Sequence, residues 1–314
     1  MSYSMDRKLV VAVSSRALFN LESENQIFES QGEKAYRDYQ WENKDKIIDK
    51  GVAYPFVKRL LQFNRQSKKP FIEVVLLSKN APVSGLRAFK SCEAYKLDIT
   101  RGAFTAGRTP YGYLKAFNCS LFLSADKNDV NEAVQAGYPA GCVLPTEALE
   151  EPQTNELRIA FDFDGVIADD SAESEYQEKG IDKYQALEKS RAGIALPPGP
   201  LKPLIDKLSK IQAWEQRLHE KDASYVPKLR IAIVTARNAP AHERVITTLN
   251  EWGIVAAEAF FLGGIEKKKV LEVFRPHLFF DDQMQHLEAA SKITPCVHIP
   301  FGIMNRENDD MSDS

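Results

Sequence analysis

Long apolar runs are missing from this chain: nothing in it approaches the roughly 18 consecutive apolar residues of a membrane-spanning helix, so no helical anchor is expected. The opening MSYSMDRKLVVAVSS has one basic pair and an apolar run of about five residues, short of the roughly 7–15 of a secretory leader. A cytoplasmic location is expected. Cysteine is sparse as well. Cys92, Cys119, Cys142 and Cys296 lie far apart and lack the close pairing that zinc sites and dithiol motifs require, which predicts buried free thiols. A surplus of charge is also absent. The formal net charge is -3, and the Lys and Arg residues form no basic block, so neither a nucleic-acid polymer nor a membrane surface is an expected partner. What remains is ordinary globular composition, 44% hydrophobic and 27% charged, in 314 residues, long enough to predict two domains.

Short apolar runs alternate with longer segments of helical spacing. The runs are LVVAV (9–13), IEVVLL (72–77), LFL (121–123), LRIAF (157–161), LRIAIV (229–234), HLFF (277–280) and CVHI (296–299). Continuous apolarity in such short runs predicts strands covered on both faces, hence an α/β fold around a parallel sheet. KAYRDYQWEN, FVKRLLQFNRQ, DKYQALEKS, PLIDKLSKIQAWEQRLHE and ERVITTLNEWG read as helices, the last stopped by Gly253. The acidic TEALEEPQTNE (146–156) reads as a linker. Domains are therefore expected over 1–150 and 157–314.

An internal repeat organises the chain. IEVVLLSKNAP (72–82) parallels RIAIVTARNAP (230–240), and FTAGRTPYGYLKAFNCSLFLSAD (104–126) lies without a gap on FLGGIEKKKVLEVFRPHLFFDDQ (261–283). VAVSSRALF (11–19) can be laid on IAFDFDGVI (159–167), placing Ser14 at Asp162 and Arg16 at Asp164. Likewise Pro110 takes the place of Lys267, Ser124 that of Asp281 and Ala125 that of Asp282. The apolar frame repeats while the charged groups belong to the second half alone, so the first half reads as a scaffold copy without chemistry.

The charged groups have a common address. Open α/β sheets bind ligands beyond the carboxyl ends of their strands, and there the sequence puts Asp162 and Asp164, then Thr235, then Lys267, then Asp281 and Asp282. In an extended strand end, residues i and i+2 face one way, so Asp162 and Asp164 are expected to converge. Converging carboxylates repel, and a hard cation such as Mg²⁺ resolves the conflict. The competing reading is that these aspartates cap a helix or turn. Thr235, with the backbone N–H groups of Ala236 and Arg237, can hold an anion or can cap the helix containing ERVITTL. Lys267 adjoins Lys268 and Lys269, and spacing does not choose among the three.

This order of motifs resembles the haloacid dehalogenase-like phosphatases over residues 157 to about 300. That resemblance implies a Rossmann-like sheet with a small cap, Asp162 as nucleophile, Asp164 as general acid and base, Thr235 and Lys267 on the phosphoryl group, and an Mg²⁺ site from Asp162, the Asp164 carbonyl and Asp282, with Asp281 behind it. The roughly 65 residues between Asp164 and Leu229 far exceed an ordinary βα loop. A cap is expected from about 169 to 200, within an insertion reaching 228, with Asp169, Asp170 and Glu173 at its entrance or simply at a helix start. VAVSSRALFNLE, LDITRGAFTAGRTPYGYLKAFNCSLFLSA, VTARNAPAHERVITTL, EAFFLGG and RPHLFFDDQ narrow the likeness to the cytosolic 5′-nucleotidase I family. This implies hydrolysis of nucleoside 5′-monophosphates, with AMP favoured. Another small phosphate ester as substrate, or a nucleotide-binding regulatory role, are the alternatives, and a homo-oligomer is compatible with the chain.

Overall fold

The computed structural model describes residues 4–67, 69–146, 154–303 and 305, so most of the expected linker, 147–153, lies outside the described residues. The chain divides into two compact units, Met1–Val143 and Leu144–Ser314.

In the first unit the strands are β1 (Leu9–Val13), β2 (Ile72–Ser78), β3 (Arg101–Phe104), β4 (Leu121–Ser124) and β5 (Ala140–Val143). They lie in the order β3-β2-β1-β4-β5, and the pairs β1–β2, β1–β4, β2–β3 and β4–β5 are parallel. The second unit has β6 (Leu157–Phe161), β7 (Leu229–Thr235), β8 (Glu258–Phe261), β9 (Leu278–Asp281) and β10 (Cys296–His298), in the order β8-β7-β6-β9-β10 and again parallel. Three of these strands were not legible as apolar runs. RGAF and EAFF are only partly buried, so they carry a polar residue and lack the continuous apolarity of a central strand. AGCV is buried but built mainly of small residues.

Parallel strands require crossovers. In the first unit these are α1 (Ser15–Leu18), α2 (Glu22–Glu42), α3 (Tyr54–Gln62), α4 (Pro82–Ala94) and α5 (Lys127–Gln135). In the second they are α6 (Ser171–Lys179), α7 (Ile181–Ser190), α8 (Lys202–Lys221), α9 (His242–Glu251), α10 (Lys267–Phe274) and α11 (Met284–Ala290). The amphipathic α8 buries Leu204, Ile205, Leu208 and Ile211, an i, i+1, i+4, i+7 stripe along the one face of a helix that covers a core. Cys92, Cys142 and Cys296 are buried free thiols, and Cys119 is half-buried and also free.

The two units share their register. Leu9 stands opposite Ile72 and Leu157 opposite Leu229; Val75 opposite Arg101 and Ala232 opposite Glu258; Val11 opposite Leu121 and Ile159 opposite Leu278. The correspondence extends to helices whose sequences show little likeness. Helix α2 breaks at Gly32 (φ 82°, ψ 179°), and Gly180 (φ 74°, ψ 170°) separates α6 from α7. That backbone region is essentially restricted to glycine. Across each break two rings meet edge to face: Phe28 with Tyr36 at 5.8 Å, and Tyr176 with Tyr184 at 5.6 Å. Arg87 Nε donates to the Lys46 carbonyl and Arg244 Nε to that of Ile194, both at 2.9 Å. Ile48 N donates to Ser91 Oγ and Leu196 N to Thr248 Oγ1, both at 3.0 Å.

Candidate active site at the strand ends of the second unit

Strands β6 and β9 are buried along their whole length. Phe161 and Phe280 face each other across them, with rings stacked 5.0 Å apart at 10°, a pairing that stiffens adjacent strand ends. Asp162 N donates to the Phe280 carbonyl at 2.8 Å. The acid of one strand end is thereby fixed beside the other strand.

The reason for the convergence of Asp162 and Asp164 differs from the expected one. Strand β6 stops at Phe161, so the alternation of an extended strand does not set their directions; both lie in the turn that follows. That turn passes through Gly165 at φ +71°, where an added Cβ would sit 2.5 Å from Asp282 Oδ2. Gly165→Ala is therefore expected to lower stability by about 1–3 kcal/mol from backbone strain alone, with the clash added, as measured by chemical denaturation. Neither aspartate caps a helix. Asp162 Oδ1 accepts from Phe163 N at 2.7 Å, and the N-cap position of α6 is Asp170.

Lys267 opens α10 and is only 4% exposed. Its Nζ lies 2.7 Å from Asp162 Oδ2 and 2.7 Å from Asp281 Oδ2, whereas Lys268 reaches Glu272 at the surface and Lys269 is exposed. Geometry thus selects Lys267 from the three lysines. Asp281 is fully enclosed. It also accepts from Gln283 N at 2.9 Å and meets His286 Nδ1 at 3.3 Å. Burial works against its charge, but Lys267 and His286 outweigh burial and hold it below the usual carboxylate range.

Asp282 is in the opposite situation. Its Oδ1 is buried without a hydrogen-bond partner, and burial, reinforced by Asp162 and Asp281, pushes the group up to about 9. Its carbonyl is held by Asn305 Nδ2 at 3.0 Å and lies 3.1 Å from His298 Nε2. Burial likewise pushes Asp162 up to about 7, with Lys267 pulling down and Asp281 and Asp164 adding to the rise. One ammonium among three buried carboxylates leaves negative charge uncompensated. Asp162, Asp281 and His286 can bring one ligand atom each within 4.8 Å of one another. Asp281, however, is already engaged by Lys267, Gln283 and His286, whereas Asp282 keeps one buried oxygen without a partner. A buried, partnerless oxygen beside Asp162 fits a hard divalent ion.

Thr235 closes β7 and is 1% exposed. It does not cap α9, whose N-cap residue is Ala241. The Arg237 backbone N–H donates to Thr235 Oγ1 at 3.1 Å. The Ala236 carbonyl in the same turn accepts from Gly263 N. It is the Arg237 side chain that enters the site: Nε and Nη2 grip Asp164 Oδ2 and Oδ1, each at 2.7 Å. Nη1 bonds Glu188, which on its other oxygen accepts from Arg244 Nη1 at 2.6 Å. Two guanidiniums and two carboxylates thus form a chain of ion pairs, Asp164–Arg237–Glu188–Arg244, that joins the turn after β6 and the β7 turn to α7 and α9.

Glu188 is completely buried, yet DKYQALEKS reads as a polar helix and nothing in its spacing singles this residue out. The expected entrance residues divide. Glu173 is partly buried and raised by desolvation and by Asp164. Asp169 accepts from Ser171 Oγ at 2.8 Å, and Asp170 Oδ2 from Ile303 N at 2.7 Å. The last two serve as local fasteners of the backbone.

The second unit is thus an open parallel α/β sheet with buried acids, a lysine and a clamped guanidinium at its strand ends, where such sheets bind ligands. Residues 1–306 match the family model described as 5′-nucleotidase, and the chain belongs to that family. Cytosolic 5′-nucleotidase 1B of Homo sapiens is 34% identical over 292 residues, which cover 91% of this chain and 47% of that protein; the chain spans about half the length of this curated relative. Among solved structures, histidinol dehydrogenase from Elizabethkingia anophelis overlaps 94% of this chain and 80% of its own, at 8% identity and a TM-score of 0.22, a likeness too low to bear on fold or function. Among the described residues no helix is long and apolar enough to cross a membrane.

Proposed function

We propose that the chain hydrolyses nucleoside 5′-monophosphates, AMP foremost, to nucleoside and phosphate, by the chemistry of the haloacid dehalogenase-like phosphatases. The observation that carries the reading is the pairing of Asp162 with Lys267 beside the buried, partnerless Oδ1 of Asp282, in a chain of the 5′-nucleotidase family. The human relative bears the name of a cytosolic 5′-nucleotidase, which agrees with the substrate class and with a cytoplasmic location.

In this mechanism an Asp162 carboxylate oxygen attacks phosphorus, and the bond to the 5′-oxygen breaks as Asp164 gives that oxygen a proton. Asp164 then takes a proton from water, whose oxygen attacks phosphorus and releases phosphate from Asp162. Lys267 keeps Asp162 oriented and offsets charge on the phosphoryl oxygens. A divalent ion such as Mg²⁺, held by Asp162, the Asp164 carbonyl and Asp282, supplies further positive charge there. The Arg237 fork bonds both oxygens of Asp164 and so fixes its orientation, and loosening the fork would free the carboxyl to turn toward the 5′-oxygen. Helices α6 and α7, tied to the site through Glu188, are the natural cap whose movement would release it.

We read the first unit as a copy of the second that lacks the catalytic acids. The shared strand order, the shared register and the matching bonds of Arg87 and Arg244 support this reading. Phosphate release from a panel of phosphomonoesters tests the substrate class: preference for nucleoside monophosphates is expected, and equal or better turnover of sugar phosphates would count against it. Chelation with EDTA is expected to abolish release, and added Mg²⁺ to restore it; undiminished activity in excess EDTA contradicts the cation's role.

A further inference from the structure

A cavity of about 360 Å³ lies in the first unit, within the volume range of small-molecule sites. Its floor is Ser14, Ser78 and Ser124, at the carboxyl ends of β1, β2 and β4, which are the positions held by Asp162, Thr235 and Asp281 in the second unit. All three serines are more than nine-tenths buried. Each hydroxyl oxygen accepts a backbone N–H, from Ala17 at 3.2 Å, Asn80 at 3.4 Å and Asp126 at 3.2 Å respectively. A hydroxyl whose oxygen is engaged in this way keeps its own proton to donate. No acceptor for any of the three protons is found among the described residues, so three buried donors converge where the other unit has carboxylates.

The remaining walls match an anion attached to a ring. Phe28, 48% exposed, presents its ring beside Tyr36, held there by the break at Gly32. Arg37 lines the cavity and makes no ion pair among the described residues. Arg16 donates to Asn25 Oδ1 at 3.1 Å and makes an exposed pair with Glu22 at 2.9 Å, of the kind that contributes little and is readily given up. Of the acids nearby, Asp126 and Asp129 are already engaged, and among the described residues only Glu33 carries an unengaged charge at the rim. Asp126 accepts from the first amides of α5, Asp129 binds Lys79 at 2.7 Å and meets Thr109 at 3.3 Å, and Glu33 is exposed.

We propose that this cavity is a second, non-catalytic binding site for a phosphate monoester carrying a flat ring. The phosphate accepts from the serine hydroxyls and Arg37 while the ring lies on Phe28. With serine in place of the nucleophile, and Asp126 and Asp129 both paired with Lys79, the site binds without hydrolysing and needs no divalent cation. The choice of a nucleoside monophosphate as probe rests on the function proposed above, and the experiment separates the two.

Equilibrium dialysis of AMP against the full Asp162→Asn chain with Mg²⁺ is expected to give two equivalents bound per chain. EDTA should weaken one of them only. Adding Phe28→Ala and Arg37→Glu should weaken the other at least tenfold, while the same pair in an otherwise wild-type chain leaves hydrolysis in place. Both replaced residues are exposed, so folding should be retained. A single equivalent that the pair does not weaken, or two equivalents both indifferent to it, overturns the second site. A single equivalent that the pair abolishes supports this site and speaks against substrate binding in the second unit.

Discussion

Asp162→Asn is expected to reduce phosphate release from AMP by about 10³-fold or more, as removal of a nucleophile does in enzymes that pass through a covalent intermediate. The change is nearly isosteric. The amide oxygen can still accept from Phe163 N, which Asp162 Oδ1 does at 2.7 Å. The amide nitrogen, however, would face Lys267 Nζ, donor against donor, where a carboxylate oxygen sits at 2.7 Å. Lys267 keeps Asp281 as its partner, so the fold should survive and substrate should still bind. Steady-state turnover together with AMP binding to the variant checks both halves of the statement. Undiminished release would remove Asp162 from the chemistry.

Glu188→Ala is expected to destabilise the chain by about 3–5 kcal/mol, because removing one member of a buried ion network leaves the others charged and uncompensated. Arg237 and Arg244 are each no more than 6% exposed, and both guanidiniums bond Glu188. In thermal unfolding a loss of that size corresponds to a fall in Tm on the order of 10 °C. Glu188→Gln should cost less, since it keeps an acceptor for one arginine. The first unit contains that arrangement: Gln40 Oε1 lies 3.4 Å from Arg87 Nη1, and Glu24 supplies the charge at 2.7 Å. If alanine at 188 left Tm within a degree or two of wild type, the network would be a surface feature in effect, and its proposed grip on Asp164 through Arg237 would lose its basis.

The acids at the strand ends were legible because charge directly after an apolar run is conspicuous. Asp162 and Asp281, which meet at Lys267, and the adjoining Asp282 stand out on that ground, and the central strands were readable from the same contrast. The edge strands β3 and β8 were not, since partial exposure removes the continuous apolarity that marks a buried strand. Glu188 and Arg244 were missed for a related reason: on a helix, a buried charge with a distant partner has the same spacing as a solvated one. Arg237 was noticed for its backbone, but its side chain is what reaches Asp164. The correspondence between α2 and the α6–α7 pair rests on a glycine, two aromatic rings and a few backbone acceptors, too dilute to stand out in the letters.

The account turns on whether the phosphoryl group passes through Asp162 or goes directly to water. Two successive in-line displacements each invert phosphorus, so hydrolysis of a chiral isotopically labelled thiophosphate analogue of AMP in labelled water should give thiophosphate with net retention of configuration. Net inversion, the mark of a single displacement by water, would contradict it.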